Sequence, residues 1–135
     1  MNRQFALFAF ATTFLLAGPS AFADEPLTHT KDTLATVKKN VEAGKAVTVD
    51  VREDAEWKEA HVKGAIHLPQ SKLRDQAQLD ELVKKLPKDK VIYTHCKVGG
   101  RALTCGKLLK EKGYDVRPLK AGTAELLKFG FEKGE

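Results

Sequence analysis

The sequence has few cysteines, no long hydrophobic run and no internal repeat. Two cysteines, Cys96 and Cys105, leave open either one disulfide or one reactive thiol beside one buried thiol. The main uncharged apolar stretch, FALFAFATTFLLA at 5–17, has 13 residues, whereas a membrane-spanning helix needs about 20. Because low-complexity tracts and long linkers are also absent, the sequence favours one compact domain with one core.

The start of the sequence has the pattern of a signal peptide. Arg3 precedes the apolar stretch, a Gly-Pro pair ends it, and the small residues AFA at 21–23 suit a signal peptidase. We expect residues 1–23 to be a cleaved signal peptide and residues 24–135 to be a single domain, exported most simply to the bacterial periplasm. After cleavage we expect no stable membrane insertion and a monomer.

The chain has no strong charge of one sign. Its 23 Lys and Arg residues against 18 Asp and Glu residues give a net charge of +5, which cleavage would lower by one charge because Arg3 is removed. The lysines are scattered, so the weak basic excess would attract small anions and does not predict a nucleic-acid partner. The histidines lack neighbouring ligands at metal-binding spacing, so we expect neither a metal nor a cofactor.

Short β-rich runs alternate with helical patterns after residue 30. The predicted strands are AVTVDV (46–51), AIHL (65–68), VIYT (91–94) and DVRPL (115–119). The predicted helices cover 34–41, 54–57 with Asp54 as the cap, 79–86, 102–109 and 123–128. Strands alternating with helices predict βαβ units, and therefore an α/β fold with a mainly parallel sheet covered on both faces.

The segment THCKVGGRALTC (94–105) lies where a strand leads into a helix, which is where such sheets bind ligands. Backbone N–H groups of a tight glycine-containing loop converge there, and the helix N-terminus adds partial positive charge. With Lys97 and Arg101 close by, this setting favours the thiolate of Cys96, the reactive form of cysteine. Gly99 and Gly100 would let the backbone fold closely around the sulfur. Cys96 is therefore the predicted nucleophile.

Four motifs resemble those of the rhodanese-like sulfurtransferases and together span nearly all of residues 24–135. They are VDVREDAEWKEAHVKGAIHLP (49–69), CKVGGRA (96–102), LLKEKGYDV (108–116) and LKAGTAELLKFGF (119–131). The resemblance implies a doubly wound parallel sheet with helices on both faces. It also implies that Cys96 takes the outer sulfur of a donor such as thiosulfate as a persulfide. A thiol or cyanide acceptor would then remove that sulfur.

The resemblance also assigns roles around Cys96. The loop residues Lys97, Val98, Gly99, Gly100, Arg101 and Ala102 would bind substrate, with backbone donors holding the persulfide anion. Asp50 and Arg52 would form a supporting ion pair near the loop. Two residues depart from the family pattern, since Ala121 replaces a glycine and Leu126 stands where tryptophan is common; we expect both to border the mouth of the site. His29 and His67 have no evident partner in the sequence.

Three alternatives remain open. Related phosphatases and arsenate reductases place five residues between Cys and Arg, whereas four residues separate Cys96 from Arg101, a loop that suits sulfur better than phosphate. A redox module would pair Cys96 with Cys105, but the helical phase of Cys105 predicts a buried, inert thiol. A non-catalytic sulfur carrier or partner-binding module is the third alternative.

Overall fold

The computed structural model describes residues 25–135, so the expected signal peptide lies outside the described residues. The helices are α1 (Leu34–Glu42), α2 (Asp54–Glu59), α3 (Gln70–Leu73), α4 (Gln76–Val83), α5 (Gly100–Glu111) and α6 (Thr123–Phe129). The strands are β1 (Ala46–Asp50), β2 (Ile66–His67) and β3 (Val91–His95). None of the helices in residues 25–135 is both long and apolar enough to cross a membrane.

The three strands form a parallel sheet in the order β2-β1-β3. In this register Asp50 pairs with His67 on one side and with His95 on the other. The carboxyl ends of all three strands therefore meet at one edge, where the chain leads into α2, α3 and the loop before α5. This edge is where the sequence predicts the site.

The predicted fourth strand, 115–119, is present only as a single bridge between Ile92 and Val116. Its backbone still runs along β3, because Arg117 donates to the Ile92 carbonyl and Leu119 donates to the Thr94 carbonyl, both at 2.8 Å. Pro118, between these two donors, faces away from β3, because its carbonyl accepts the Thr30 N–H on the other side; its missing N–H therefore costs no bond to β3.

Buried side chains lie on both faces of the sheet. One cluster joins β1 and β3 to α4 and α5 through residues such as Val49, Ile92 and Leu109. The other joins Tyr93 to α1 and α6 through Val37 and Leu126. Because neighbouring residues of β3 point to opposite faces, the alternating pattern of the sequence produces helices on both sides. The predicted doubly wound α/β architecture is thus confirmed.

Some local details differ from the predictions. Glu53, not Asp54, is the N-cap residue of α2, and its N–H donates to the Glu56 carboxylate at 3.3 Å. The short helix α3 was not predicted from the sequence. Leu126 is fully buried among core residues, so the expectation that it borders the site is wrong.

Candidate active site

Cys96 lies directly after β3 and before α5, at the carboxyl edge of the sheet. Its side chain is almost fully buried, with 1% of the residue exposed. The backbone N–H of Gly99 donates to the Cys96 sulfur at 3.1 Å. The loop therefore directs a backbone donor at the sulfur, as the motif predicts.

The two loop glycines have different roles. Gly99 is the N-cap of α5 with φ +96°, a backbone region that side chains disfavour, and a Cβ on it would lie 2.9 Å from the His29 ring. Gly100 has no heavy atom within 4 Å of a built Cβ, and its φ isn't positive. The close backbone turn thus requires Gly99, and the expectation that Gly100 is needed for the same reason is wrong.

The chain at the start of α6 packs against the backbone of the Cys96 loop. Thr123 donates its N–H to the Cys96 carbonyl at 2.9 Å, and Gly122 passes so close that a Cβ would lie 2.0 Å from the Lys97 carbonyl oxygen. Gly122 is therefore required by the close approach of two backbones. Ala121, one residue earlier, is half-buried.

Arg101 is held by an acidic partner that the sequence analysis missed. Its guanidinium makes two hydrogen bonds to Glu56 of α2, at 2.6 and 2.9 Å. The hydrogen bonds from Arg101 lower the pKa of Glu56 to about 2, so the carboxylate is ionised at neutral pH. Glu56 therefore balances the charge of Arg101, and Arg101 isn't an uncompensated cation beside the sulfur.

Asp50 and Arg52 form the expected ion pair below the loop. Asp50 is fully buried, and Arg52 reaches it with Nη2 at 2.8 Å and with Nε at 3.0 Å. Arg52 also donates to the Ala60 carbonyl at 2.7 Å. A buried carboxylate with several donors is well compensated, so the pair ties β1 to the end of α2.

His95 precedes Cys96 and is completely buried. Its Nδ1 lies 2.9 Å from the Thr123 hydroxyl, and its Nε2 has no hydrogen-bond partner within residues 25–135. Burial lowers the pKa of His95 to about 4, so the ring is neutral at physiological pH. Through Thr123, His95 connects β3 to α6 beside the Cys96 carbonyl.

The remaining loop residues are divided between surface and core. Lys97 and Val98 are exposed, Val98 by 77%, whereas Ala102 is buried and its carbonyl accepts a hydrogen bond from the Thr94 hydroxyl at 2.9 Å. The Ala102 side chain thus belongs to the core of the first helical turn, while the expectation that its backbone binds substrate stays a prediction.

A cleft of about 310 Å³ lies beside the loop. Its walls include Arg52, Glu56, Lys97 and Thr123. A larger groove, of about 750 Å³, lies between residues 25–27 and α5 and includes none of the predicted site residues. We therefore assign the smaller cleft to the site.

Cys105 is a buried free thiol, as its helical phase predicts. Burial raises the pKa of Cys105 to about 12, so the thiol is protonated at neutral pH and lacks the reactive thiolate form that a redox partner needs.

His29 and His67, which have no evident partner in the sequence, each have one in the structure. His29 Nε2 lies 2.9 Å from the Gly99 carbonyl, and His67 Nε2 lies 2.8 Å from the Arg52 carbonyl. His67 also stacks on Trp57, and so does His61. The alternation of apolar and polar residues carries no signal for such contacts, because they join distant segments.

Comparison with known proteins identifies relatives of this arrangement. The sequence profile described as the rhodanese-like domain matches residues 33–128. A tRNA sulfurtransferase of Desulfurococcus amylolyticus is 32% identical over 90 residues, which are 67% of this chain and 16% of that protein. The chain therefore spans about a sixth of the length of this relative.

Solved structures share the fold. The crystal structure of reduced Bacillus anthracis CoADR-RHD is 30% identical with a TM-score of 0.61, and the match covers 78% of this chain and 18% of that one. A rhodanese-related protein from Thermoplasma volcanium is 23% identical with a TM-score of 0.61, and the match covers 75% of this chain and 93% of that one.

Proposed function

The chain belongs to the rhodanese-like family, and from this premise we propose that it is a sulfurtransferase whose nucleophile is Cys96. The observation that carries the proposal is the Gly99 N–H directed at the Cys96 sulfur at 3.1 Å, at the start of α5. A backbone donor and a helix N-terminus both stabilise negative charge on sulfur. The same surroundings suit the thiolate and the persulfide anion that would follow it.

In the first half-reaction, we propose that the Cys96 thiolate attacks the outer sulfur of thiosulfate. A bond forms between Sγ and that sulfur, while the sulfur–sulfur bond of thiosulfate breaks and its electron pair leaves with sulfite. The products are a Cys96 persulfide anion and sulfite, so charge and atoms balance without an added oxidant or proton. The reaction is nucleophilic catalysis with a covalent intermediate.

In the second half-reaction, an acceptor nucleophile attacks the terminal sulfur of the persulfide. Cyanide would leave as thiocyanate and a thiolate would leave as a new persulfide, while the electron pair of the broken bond returns to Cys96 as thiolate. Because the first product departs before the acceptor reacts, the scheme predicts ping-pong kinetics.

The charges beside the loop support a small anionic donor. Lys97 is exposed at the cleft beside Cys96, whereas Glu56 neutralises Arg101. Lys97 is therefore the cation we propose to attract thiosulfate. The similarity to a tRNA sulfurtransferase supports sulfur transfer as the class of reaction, but the match covers only 16% of that relative, so its RNA substrate isn't carried over.

The setting of the reaction belongs to the same proposal. We propose an exported, monomeric protein acting in the bacterial periplasm on small-molecule donors and thiol acceptors, because the pattern of residues 1–23 is that of a signal peptide. The division into a signal peptide and a single domain at 24–135 stays a prediction.

Mass spectrometry of the intact, reduced protein after treatment with thiosulfate tests the proposal. We expect a gain of one sulfur atom, about 32 Da, that cyanide removes. The Cys96→Ser variant should gain nothing, while the matched Cys105→Ser variant should gain the sulfur like the parent protein. An unmodified parent protein would overturn the proposal, and hydrolysis of an aryl phosphate would favour the phosphatase alternative instead.

A further inference from the structure

A segment before the family-matched region contacts the active-site loop. The match to the family begins at residue 33, whereas His29 lies before it and its Nε2 is 2.9 Å from the Gly99 carbonyl oxygen. A carbonyl oxygen only accepts hydrogen bonds, so Nε2 carries the proton and donates. We call residues 27–32 the strap.

The strap is fixed to the domain on both sides of His29. Thr30 donates its N–H to the Pro118 carbonyl at 2.8 Å. Leu27 packs so close to α5 that a Cβ on Gly106 would lie 3.2 Å from its Cδ2. Because backbone bonding and packing both hold the strap, the His29 ring has a defined position over the loop.

Asp32 attaches the far end of the strap to the sheet. Its carboxylate accepts hydrogen bonds from the Tyr93 hydroxyl at 2.6 Å and from the Arg117 guanidinium at 3.0 Å. The hydrogen bond from Tyr93 is the largest cause that lowers the pKa of Asp32, and the hydrogen bond from Arg117 lowers it further. Asp32 is therefore ionised at neutral pH. A charged acceptor with two donors is a firm anchor.

The residue that His29 holds is the one that faces the sulfur. Gly99 adopts φ +96° and has no side chain to fix its rotation, so its orientation depends on hydrogen bonds at its two peptide groups. Its carbonyl accepts from His29 at 2.9 Å and from the Leu103 N–H at 3.2 Å, while its N–H donates to the Cys96 sulfur at 3.1 Å.

We propose that His29 is a positioning residue for sulfur transfer: it holds Gly99 so that the Gly99 N–H points at the Cys96 sulfur. This inference rests on the proposed function, since the sulfur it serves is the reacting atom. The hydrogen bond of His29 goes to Gly99 and not to the sulfur, and His29 is not among the residues that line the cleft. Its effect is to keep a backbone donor aimed at the thiolate and at the persulfide.

Two substitutions at the same position separate a hydrogen-bond role from a packing role. His29→Ala removes the donor, whereas His29→Gln places an amide N–H near the position of Nε2. His61→Ala is the matched control, because His61 is another half-buried histidine bonded to a backbone carbonyl, that of Trp57 at 2.9 Å. It leaves the strap and the loop intact.

Single-turnover formation of the persulfide from thiosulfate, followed by mass, is the first measurement. We expect His29→Ala to be about tenfold slower at saturating thiosulfate, with an unchanged half-saturating concentration, because the Gly99 N–H would lose its alignment with the charged sulfur. His29→Gln and His61→Ala should stay within about twofold of the parent protein. Equal rates in His29→Ala and the parent, or equally slow rates in both His29 variants, would overturn the proposal.

Alkylation of Cys96 by iodoacetamide across pH is the second measurement, and it doesn't depend on sulfur transfer. If His29 aims the donor at the thiolate, the alkylation profile of His29→Ala should move to higher pH than those of His29→Gln and the parent. Superimposable profiles would contradict the positioning role. If the parent forms no persulfide, the proposed function fails, while the alkylation profiles still decide the role of His29.

Discussion

Cys96 and Cys105 lie in one loop-and-helix segment and are almost equally buried, with exposed fractions of 1% and 0%. Their polar surroundings differ. A backbone N–H points at the sulfur of Cys96. Cys105 belongs to the same hydrophobic cluster as Cys96, but it lies inside α5, where burial raises its pKa to about 12.

The difference indicates what separates a reactive thiol from an inert one in this fold. Burial by itself disfavours a thiolate, because charge loses its solvation in an apolar environment. A helix N-terminus and a backbone N–H donor in the turn before it compensate for the lost solvation of the thiolate. Of the two cysteines, only Cys96 lies at such a helix start. The position of a cysteine along the helix therefore matters more than its exposure.

Exchanging each sulfur for oxygen gives the largest expected effect. We expect Cys96→Ser to lower the turnover of thiosulfate and cyanide to thiocyanate by at least about a thousandfold, because the nucleophile is lost. Cys105→Ser should keep turnover within about threefold, because it removes no group that contacts the reacting sulfur. Comparable losses of turnover in both variants would contradict the assignment of Cys96 as the reactive thiol and Cys105 as the inert one.

Gly122→Ala tests whether the backbone around Cys96 is as closely packed as the distances indicate. The new Cβ would lie 2.0 Å from the Lys97 carbonyl oxygen, so the loop or the segment before α6 must move. We expect a loss of about 3 kcal/mol in the free energy of unfolding, measured with urea.

Gly100→Ala is the control for that measurement of stability. Its Cβ would meet nothing within 4 Å, and alanine at the start of α5 replaces a flexible glycine. We expect unchanged or slightly higher stability, by up to about 1 kcal/mol. Equal losses from both substitutions would show that the 2.0 Å approach at Gly122 isn't the cause.

His95, the residue before Cys96, should make the stability of the protein depend on pH. Its pKa falls from 6.5 to about 4 because of burial, so between these values the unfolded chain binds a proton that the folded chain doesn't. The free energy of unfolding therefore has its full value above pH 6.5. It decreases as the pH falls towards 4, by an amount on the order of 3 kcal/mol.

Urea unfolding between pH 7 and 4.5 measures this dependence. His95→Asn keeps a polar group near Thr123 but doesn't titrate, so its stability should vary less over this range. A variant with the same slope as the parent protein would assign the pH dependence to other groups.

Cys105→Ala should have a smaller effect on stability, and it tests whether Cys105 is chemically inert. It removes a sulfur atom from the core and leaves a small cavity, for which we expect a loss of about 1 kcal/mol in the free energy of unfolding. Thiocyanate formation per folded molecule should be unchanged. A loss of activity without a loss of stability would instead indicate a chemical role for this thiol.

Local patterns predicted the parts of the fold that depend on local physics. β1, β3, α5 and α6 follow from hydrophobic periodicity, and the place of Cys96 follows from the rule that ligands bind where strands end. The helix α3 escaped prediction, because its four residues are held partly by a tertiary bond from the Gln70 N–H to the Val51 carbonyl.

The contacts that complete the candidate site couldn't be predicted, because they join distant segments. Glu56 meets Arg101 across 45 positions, and His29 meets Gly99 across 70. A pattern read within one turn or one strand contains no information on such pairs. The bond from the Glu53 N–H to the Glu56 carboxylate is local, however, and the spacing of three residues could have identified it.

The smallest expected effect concerns the charge at the mouth of the Cys96 loop. Lys97 is exposed beside the cleft, so its attraction for a dianion is weakened by water and salt. We expect Lys97→Gln to raise KM for thiosulfate roughly fivefold with little change in kcat, and Lys97→Arg to stay near the parent value. The difference should shrink at high salt. Because iodoacetamide is neutral, its rate with Cys96 should change far less, and an equal change for both reagents would assign Lys97 to the reactivity of the thiol instead of the attraction of the donor.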